Sequence, residues 1–330
     1  MAPQAQTSRR HVAIQMSAAL LAASGNLGAP LMALAAGTRP EAGASARAAG
    51  AIALGDLRVN RLGFGAMRIT GNGIWGPPED PQEARAVLRR AVELGVNLID
   101  TADAYGPFVS EQLIYEALHP YPAGLVIATK GGLTRPGPDQ WQEDGTPRHL
   151  RAACEGSLER LHLERIDLYQ LHRPDPKVPL EDSIGELLRL RKEGKIRHIG
   201  LSNVDLAQLK RAQALTPIVS IQNRYNVGDR ADEQMLQYCA AQRLAYLPWA
   251  PLGGRKPRRV RLLESIFSST ADRIASTHSV SSAQVVLAWL LQHSPALLPI
   301  PGTSSRAHLE ENVAAASLRL TPTEVKALES

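Results

Sequence analysis

The string VNLIDTADAYG, Val96–Gly106, ends an apolar run on a carboxylate, Asp100, with a tyrosine, Tyr105, in the loop that follows. Two later passages repeat the device. Leu125–Ala128 leads into Thr129-Lys130-Gly131-Gly132, and Ile166–Leu171 leads into His172-Arg173-Pro174-Asp175. Short apolar runs of this kind, bounded by polar residues, read as buried parallel strands. Polar groups at the carboxyl ends of successive parallel strands converge on one mouth, where α/β barrels carry their chemistry. Asp100, Tyr105, Lys130 and His172 are the groups needed to protonate a carbonyl oxygen while hydride reaches its carbon.

Outward from that string, strand-like runs alternate with amphipathic helices. Strands are expected at Arg61–Ala66, Asn97–Asp100, Leu125–Thr129, Ile166–Leu171, Ile196–Leu201, Val219–Gln222, Ala245–Trp249 and Leu298–Pro301. Helices are expected at Pro81–Leu94, at Ser110–Leu118 with Ser110 as cap, and at His149–Leu161, Leu180–Lys192, Asp205–Ala214 and Ala231–Arg243. Further helices are expected at Arg261–Ser276, Ser282–Leu291 and Ser305–Ala315. Eight strand–helix units with short connections predict a closed (β/α)8 TIM barrel over residues 53–330. Ala53–Val59 is expected to form a hairpin over the barrel floor.

One pattern points elsewhere. Gly71-Asn72-Gly73-Ile74-Trp75-Gly76 matches GxGxxG, and Asp100 closes the next strand, the outline of a dinucleotide-binding fingerprint. In a true fingerprint the loop turns straight into a helix. Here Pro77, Pro78 and Pro81 delay the helix, so a Gly-rich loop at a barrel mouth is the better account.

Composition narrows the function. The chain has 330 residues, enough for a barrel plus extensions, and its 4% aromatic content demands an aliphatic core. The formal charge of +5 is scattered, with no long basic run interleaved with aromatics, so a nucleic-acid role is not expected. Cys154 and Cys239 are spaced for neither zinc nor a redox pair, and the histidines are dispersed, so no metal is expected.

Residues 1–35 differ from the rest. Ser8-Arg9-Arg10-His11-Val12 precedes a mildly apolar stretch ending in Ala33-Leu34-Ala35, an AxA cleavage pattern. A twin arginine before such a segment predicts a twin-arginine signal peptide, hence engagement of that export machinery and a periplasmic location. The alternative is a cytoplasmic protein with an uncleaved leader or an early start. The apolar stretch is too interrupted for stable membrane insertion. Residues 36–52 read as a flexible linker.

The ordered strings DTADAYG, TKGG, QLHRPD, GLSN (Gly200–Asn203), QNRYN (Gln222–Asn226) and PGTSSRAHLEEN (Pro301–Asn312) resemble the aldo-keto reductase family from about Leu54 to Leu328. TRPGPDQW at Thr134–Trp141 and the GPP after Trp75 resemble a bacterial subgroup that includes pyridoxal reductases. The resemblance implies a (β/α)8 barrel that binds extended NADPH, with NADH a poorer cofactor, and reduces a small carbonyl substrate. It implies Tyr105 as general acid, Lys130 and Asp100 lowering its pKa, and His172 orienting the carbonyl. It places Ser202, Asn203 and Gln222 on the nicotinamide carboxamide, Trp249 on its ring, and Leu252 and Gly253 across the pyrophosphate. Gly302, Thr303, Arg306, His308, Glu311 and Asn312 fall at its phosphate and adenosine positions. Gly302, Thr303 and His308 depart from the family's usual Lys, Ser and Arg. Arg255, Lys256, Arg258, Arg259 and Arg261 add a second source of positive charge. Met67, Trp75 and Trp141 are the expected substrate contacts, suited to a flat or apolar carbonyl. Two other functions fit parts of the pattern: a Schiff-base lyase using Lys130, and a non-catalytic nucleotide-binding regulatory subunit.

Overall fold

A computed structural model describes residues 44–253 and 261–330, with side chains given outside 261–268. The leader 1–35 and residues 36–43 of the expected linker lie outside the described residues, as do Arg255, Lys256, Arg258 and Arg259. The rest of that linker is not loose chain. Ala46 is buried and its N–H donates to Leu94 O at 2.9 Å. Strand β1 (Ala51–Leu54) then pairs antiparallel with β2 (Leu57–Asn60). The expected linker 36–52 is therefore too long at its carboxyl end, because Ala46 finds an apolar seat under the first barrel helix.

The hairpin forms the floor. Leu54 and Val59 are buried among Leu98, Val126, Ala128, Leu168, Leu247 and Leu298, which line the barrel interior. Above it the staves run β3 (Phe64–Gly65), β4 (Leu98–Asp100), β5 (Val126–Gly131), β8 (Ile166–Leu171), β9 (Ile196–Ser202), β10 (Ser220–Gln222) and β11 (Ala245–Tyr246). All neighbouring pairs are parallel. Between β5 and β8 a small antiparallel ribbon, β6 (Leu133–Thr134) and β7 (Gln142–Glu143), projects from the mouth.

The eighth stave is extended chain rather than a regular strand. Tyr246 N–H donates to Ala296 O at 2.8 Å and Leu298 N–H to Tyr246 O at 2.9 Å. On the far side, Gly63 and Gly65 N–H donate to Pro299 O and Pro301 O at 3.0 and 3.4 Å. Pro299 and Pro301 have no N–H to return, so the ladder is one-sided there. These bonds close the sheet, and the expected (β/α)8 barrel is the observed fold.

Helices wrap the staves, with ends written in the local sequence. Helix α1 (Pro81–Glu93) has proline at its start and an Asp80 carboxylate accepting from Gln82 and Glu83 N–H, both at 2.9 Å. Its buried Ala84, Val87, Leu88 and Ala91 follow helical spacing. Helix α2 (Val109–Leu118) differs from expectation: Phe108, in the left-handed region, precedes it, and Ser110 is no cap. The Ser110 hydroxyl is buried instead, within 3.1 Å of Ala66 O and 2.8 Å of the Thr101 hydroxyl, tying the helix to two staves. Next come α3 (Pro147–Leu161), α4 (Leu180–Lys192), α5 (Leu206–Leu215), opened by an Asp205–Gln208 capping box, and α6 (Glu233–Gln242). The series ends with α7 (Arg261–His278), α8 (Ser282–His293), α9 (Arg306–Ala314) and α10 (Pro322–Glu329). Cys154 and Cys239 are buried free thiols, pushed up to about 12 by burial.

The seam between the first and eighth staves is tight. A β-carbon on Gly65 would lie 2.6 Å from Ile300 O, and one on Gly302 2.4 Å from Gly65 O. Both obstacles are backbone, which cannot swing aside. Gly65→Ala is expected to destabilise the fold by about 1–3 kcal/mol, the usual cost of overpacking. For a barrel of this size the melting temperature drops by roughly 2–10 °C. An unchanged thermal melt would show that the seam is looser than described.

Candidate active site

The staves deliver their end residues to one point. Lys130 and Asp100 are fully buried, and the ammonium donates to Asp100 Oδ2 at 2.8 Å, to Thr101 O at 2.7 Å and to Tyr105 Oη at 3.3 Å. The other carboxylate oxygen, Oδ1, accepts from Gln222 Nε2 at 2.8 Å and Gln170 Nε2 at 3.2 Å. Four staves, β4, β5, β8 and β10, thus meet on one carboxylate. Gln170 was missed by sequence reading, although it stands two residues before His172 at the same stave end. Gln222, expected on the cofactor, spends its amide N–H on Asp100.

Charge states follow from these contacts. Burial opposes the Lys130 cation, but the Asp100 carboxylate and the Tyr105 oxygen outweigh it, and its pKa is raised. Burial also raises the Tyr105 pKa; Lys130 pulls it down and Asp100 pushes it up. Lys130 depresses it, Asp100 acts by anchoring Lys130, and desolvation of the phenolate wins. His172 is held well below the usual histidine range, first by burial and then by Lys130, Arg173 and Arg135. It is a neutral imidazole, and its buried Nδ1 has no hydrogen-bond partner.

Three rings form a corner around the phenol. Tyr105 and His172 stand edge to face with centroids 5.7 Å apart, Trp141 lies 6.3 Å from Tyr105, and Trp141 is 6.2 Å from His172. Trp75, on the loop after the first stave, shares the Arg135 guanidinium with Trp141. Met67 is half-buried in the turn after β3.

On the other side of the mouth, Asn203 sits in the left-handed region, which Asn tolerates. It donates to His172 O and to Ser202 Oγ, both at 3.0 Å, and accepts from Trp249 Nε1 at 3.1 Å. Ser202 and Gln222 are buried, and Trp249 is half-buried with Arg224 over its ring. Leu252 is exposed, and Gly253 has positive φ in the loop that follows. A polar groove of about 370 Å³ runs between the two end staves, lined by Met67, Arg68, Thr70, Gly302, Thr303 and Ser304. Exposed backbone at Gly302 and the amino end of α9 suit a phosphate. The Ser202–Asn203 pair beside the Trp249 indole suits a carboxamide-bearing ring. A dinucleotide thus fits the residues present.

Further along, the expected contacts diverge. Arg306 is already paired: its Nε lies 3.0 Å from Glu83 Oε2, and its N–H donates to Glu83 Oε1 at 3.3 Å. His308 and Glu311 are exposed on α9, and Asn312 is buried. Arg306, expected as a source of positive charge for the cofactor, is engaged by a carboxylate 223 residues away in sequence.

The sequence model of the aldo/keto reductase family matches residues 61–330. An uncharacterized oxidoreductase of Schizosaccharomyces pombe is 47% identical over 284 residues, covering 86% of this chain and 90% of its own. A pyridoxine 4-dehydrogenase of Escherichia coli K12 is 42% identical over 274 residues, covering 81% and 93%. The structure of an aldo/keto reductase from Klebsiella pneumoniae in complex with NADP and acetate superposes with a TM-score of 0.69 at 27% identity, covering 82% of this chain and 91% of that one. With the match spanning the whole barrel, the chain belongs to the aldo/keto reductase family.

Proposed function

We propose that this chain reduces aldehydes or ketones to alcohols with NADPH, Tyr105 serving as general acid. The observation that carries the reading is the Tyr105–Lys130–Asp100 chain beside a neutral His172. NADPH, when bound, supplies the hydride. Tyr105 Oη gives its proton to the carbonyl oxygen as that oxygen gains charge. Lys130, 3.3 Å away, stabilises the phenolate left behind. A neutral imidazole at His172 donates a hydrogen bond to the same oxygen without competing as an acid. Ser202 and Asn203 would hold the carboxamide of the nicotinamide, with Trp249 beside the ring. Gly302, Thr303 and the amino end of α9 would take the phosphates.

Two other readings lose support. A Schiff-base lyase needs Lys130 as a free amine, yet its pKa is raised and its ammonium has three acceptors. A regulatory subunit does not require a complete acid with its charge support. The pyridoxine 4-dehydrogenase relative and the Trp75–Trp141 wall support a flat aromatic aldehyde as substrate. We also propose that residues 1–35 direct twin-arginine export to the periplasm. The Arg9-Arg10 pair and the Ala33–Ala35 pattern support that reading. The twin-arginine route carries folded proteins, so the barrel leaves with NADPH acquired in the cytoplasm.

Tyr105→Phe is expected to lower kcat for an aldehyde by about 100-fold or more, the usual weight of a general acid. NADPH binding, read by fluorescence, stays close to wild type. Full turnover in the phenylalanine variant sinks the mechanism.

NADPH is expected to bind more tightly than NADH at low ionic strength, with the gap narrowing as salt screens the 2′-phosphate contacts. Equal dissociation constants would show that the Glu83–Arg306 pair and the departures at Gly302 and His308 have removed the discrimination.

Fractionation of native cells is expected to recover a periplasmic form beginning near Ala36. Replacing Arg9 and Arg10 by Lys should leave the full chain in the cytoplasm. A native protein found only in the cytoplasm with its leader attached would refute export and leave the chemistry untouched.

A further inference from the structure

Arg135 lies against both tryptophans of the mouth and bears on the proton chemistry above only as one of the cations that keep His172 neutral. Its side chain is buried, and its acceptors are main-chain carbonyls from three loops. Nε donates to Gln140 O at 2.7 Å. Nη1 donates to Ile74 O at 2.8 Å and to Ala104 O at 2.9 Å. Nη2 donates to Gly73 O at 2.9 Å and to Gly137 O at 3.5 Å. All five N–H donors of the guanidinium are thereby used, so it has none to offer a substrate carboxylate or phosphate. The acceptors come from the loops after the first, second and third staves, and Ala104 is the residue immediately before Tyr105.

The loops are shaped for this clamp. Ile74 is held in the left-handed region at φ 54°, costly for a β-branched residue. Its carbonyl is fixed twice, by Arg135 and by Gly106 N–H at 3.3 Å. Gly73, also at positive φ, passes so close to the third loop that a β-carbon would lie 2.9 Å from Pro138 Cβ. Its carbonyl accepts from both Arg135 and Asp139 N–H. Within the GxGxxG-like string Gly73 thus lets the first loop dock on the third, while Gly71 passes close to carbonyls of its own loop.

The clamp has a second face. The guanidinium carbon lies 3.7 Å from the Trp141 ring centroid and 5.8 Å from that of Trp75. A cation over an indole is attracted to its π face and holds the ring in a fixed orientation. Trp141 is at the same time set edge-on to Tyr105 and His172, the two groups that hold the carbonyl oxygen.

We propose that Arg135 is a positioning residue that assembles the substrate wall, pinning three loops and backing Trp141 so that the mouth selects flat aromatic aldehydes over small aliphatic ones. This rests on the reductase reading and names the substrate class for the same site. Lysine cannot replace it, because a point charge cannot span carbonyls on three loops while stacking on an indole.

The test compares wild type with Arg135→Met, Arg135→Lys and Trp141→Leu, using pyridoxal and propanal as probes. In both arginine variants, kcat/KM for pyridoxal is expected to fall about tenfold further than kcat/KM for propanal, mainly through KM. Trp141→Leu is expected to show the same split, which keeps the proposal testable if an arginine variant fails to fold. Equal losses for both aldehydes, or a split carried only by kcat, overturn it. Binding is read separately by tryptophan fluorescence. Pyridoxal is expected to quench wild-type emission saturably, with an apparent affinity about tenfold weaker in Arg135→Met. Equal affinities overturn the wall. Absence of turnover of either aldehyde by wild type would count against the reductase reading alone, since the titration still reports on Arg135.

Discussion

A buried ammonium and a buried carboxylate 2.8 Å apart set the terms for everything else in this barrel. Removing two charges from water costs several kcal/mol each, recovered only if every remaining lone pair and proton is satisfied. Asp100 meets that demand with donors from β5, β8 and β10. Lys130 meets it with Asp100, Thr101 O and Tyr105 Oη. The donors to Asp100 lie 30, 70 and 122 residues from it along the chain, so the pair is satisfied only if the staves close at the right register. Closure in turn depends on the hairpin floor, which fills the bottom with Leu54 and Val59 and leaves the polar layer at the top. Loss of either charge alone would strand the other in a dry interior, a worse outcome than losing both.

The same pair divides labour among the neighbours. Tyr105 keeps its proton because burial dominates its surroundings, and it can still release that proton because Lys130 stands beside the oxygen. His172 stays neutral for the complementary reason: burial and three cations oppose a further positive charge. An acid and a hydrogen-bond donor thus sit side by side without exchanging roles, held there by burial and by the surrounding cations.

Much of this was legible in the sequence because it is local. An apolar run ended by Asp, Lys or His can be read residue by residue, and so can Pro81 after Asp80 or the Asp205–Gln208 box. What escaped depends on distance across the fold. Gln170 supports Asp100 from 70 residues away, Glu83 engages Arg306 from 223 away, and Arg135 reaches Gly73 from 62 away. Ser110 carries every mark of a helix cap, yet a tertiary bond to Ala66 O claims its hydroxyl. The eighth strand was placed correctly but not in its form, since two prolines remove the donors that a regular ladder needs.

The seam where those prolines lie also borders the groove that suits a phosphate. Gly65 and Gly302 face each other across it at a distance no side chain could share, and Gly302 lines the groove. Barrel closure and groove width are therefore one geometric quantity. On this chain's backbone a larger residue at Gly302, whether it brought a charge or changed the cofactor, would need the facing Gly65 carbonyl to shift. Cofactor preference in this chain is free to drift on α9 and in the loop before it, but at the seam it is tied to the integrity of the fold.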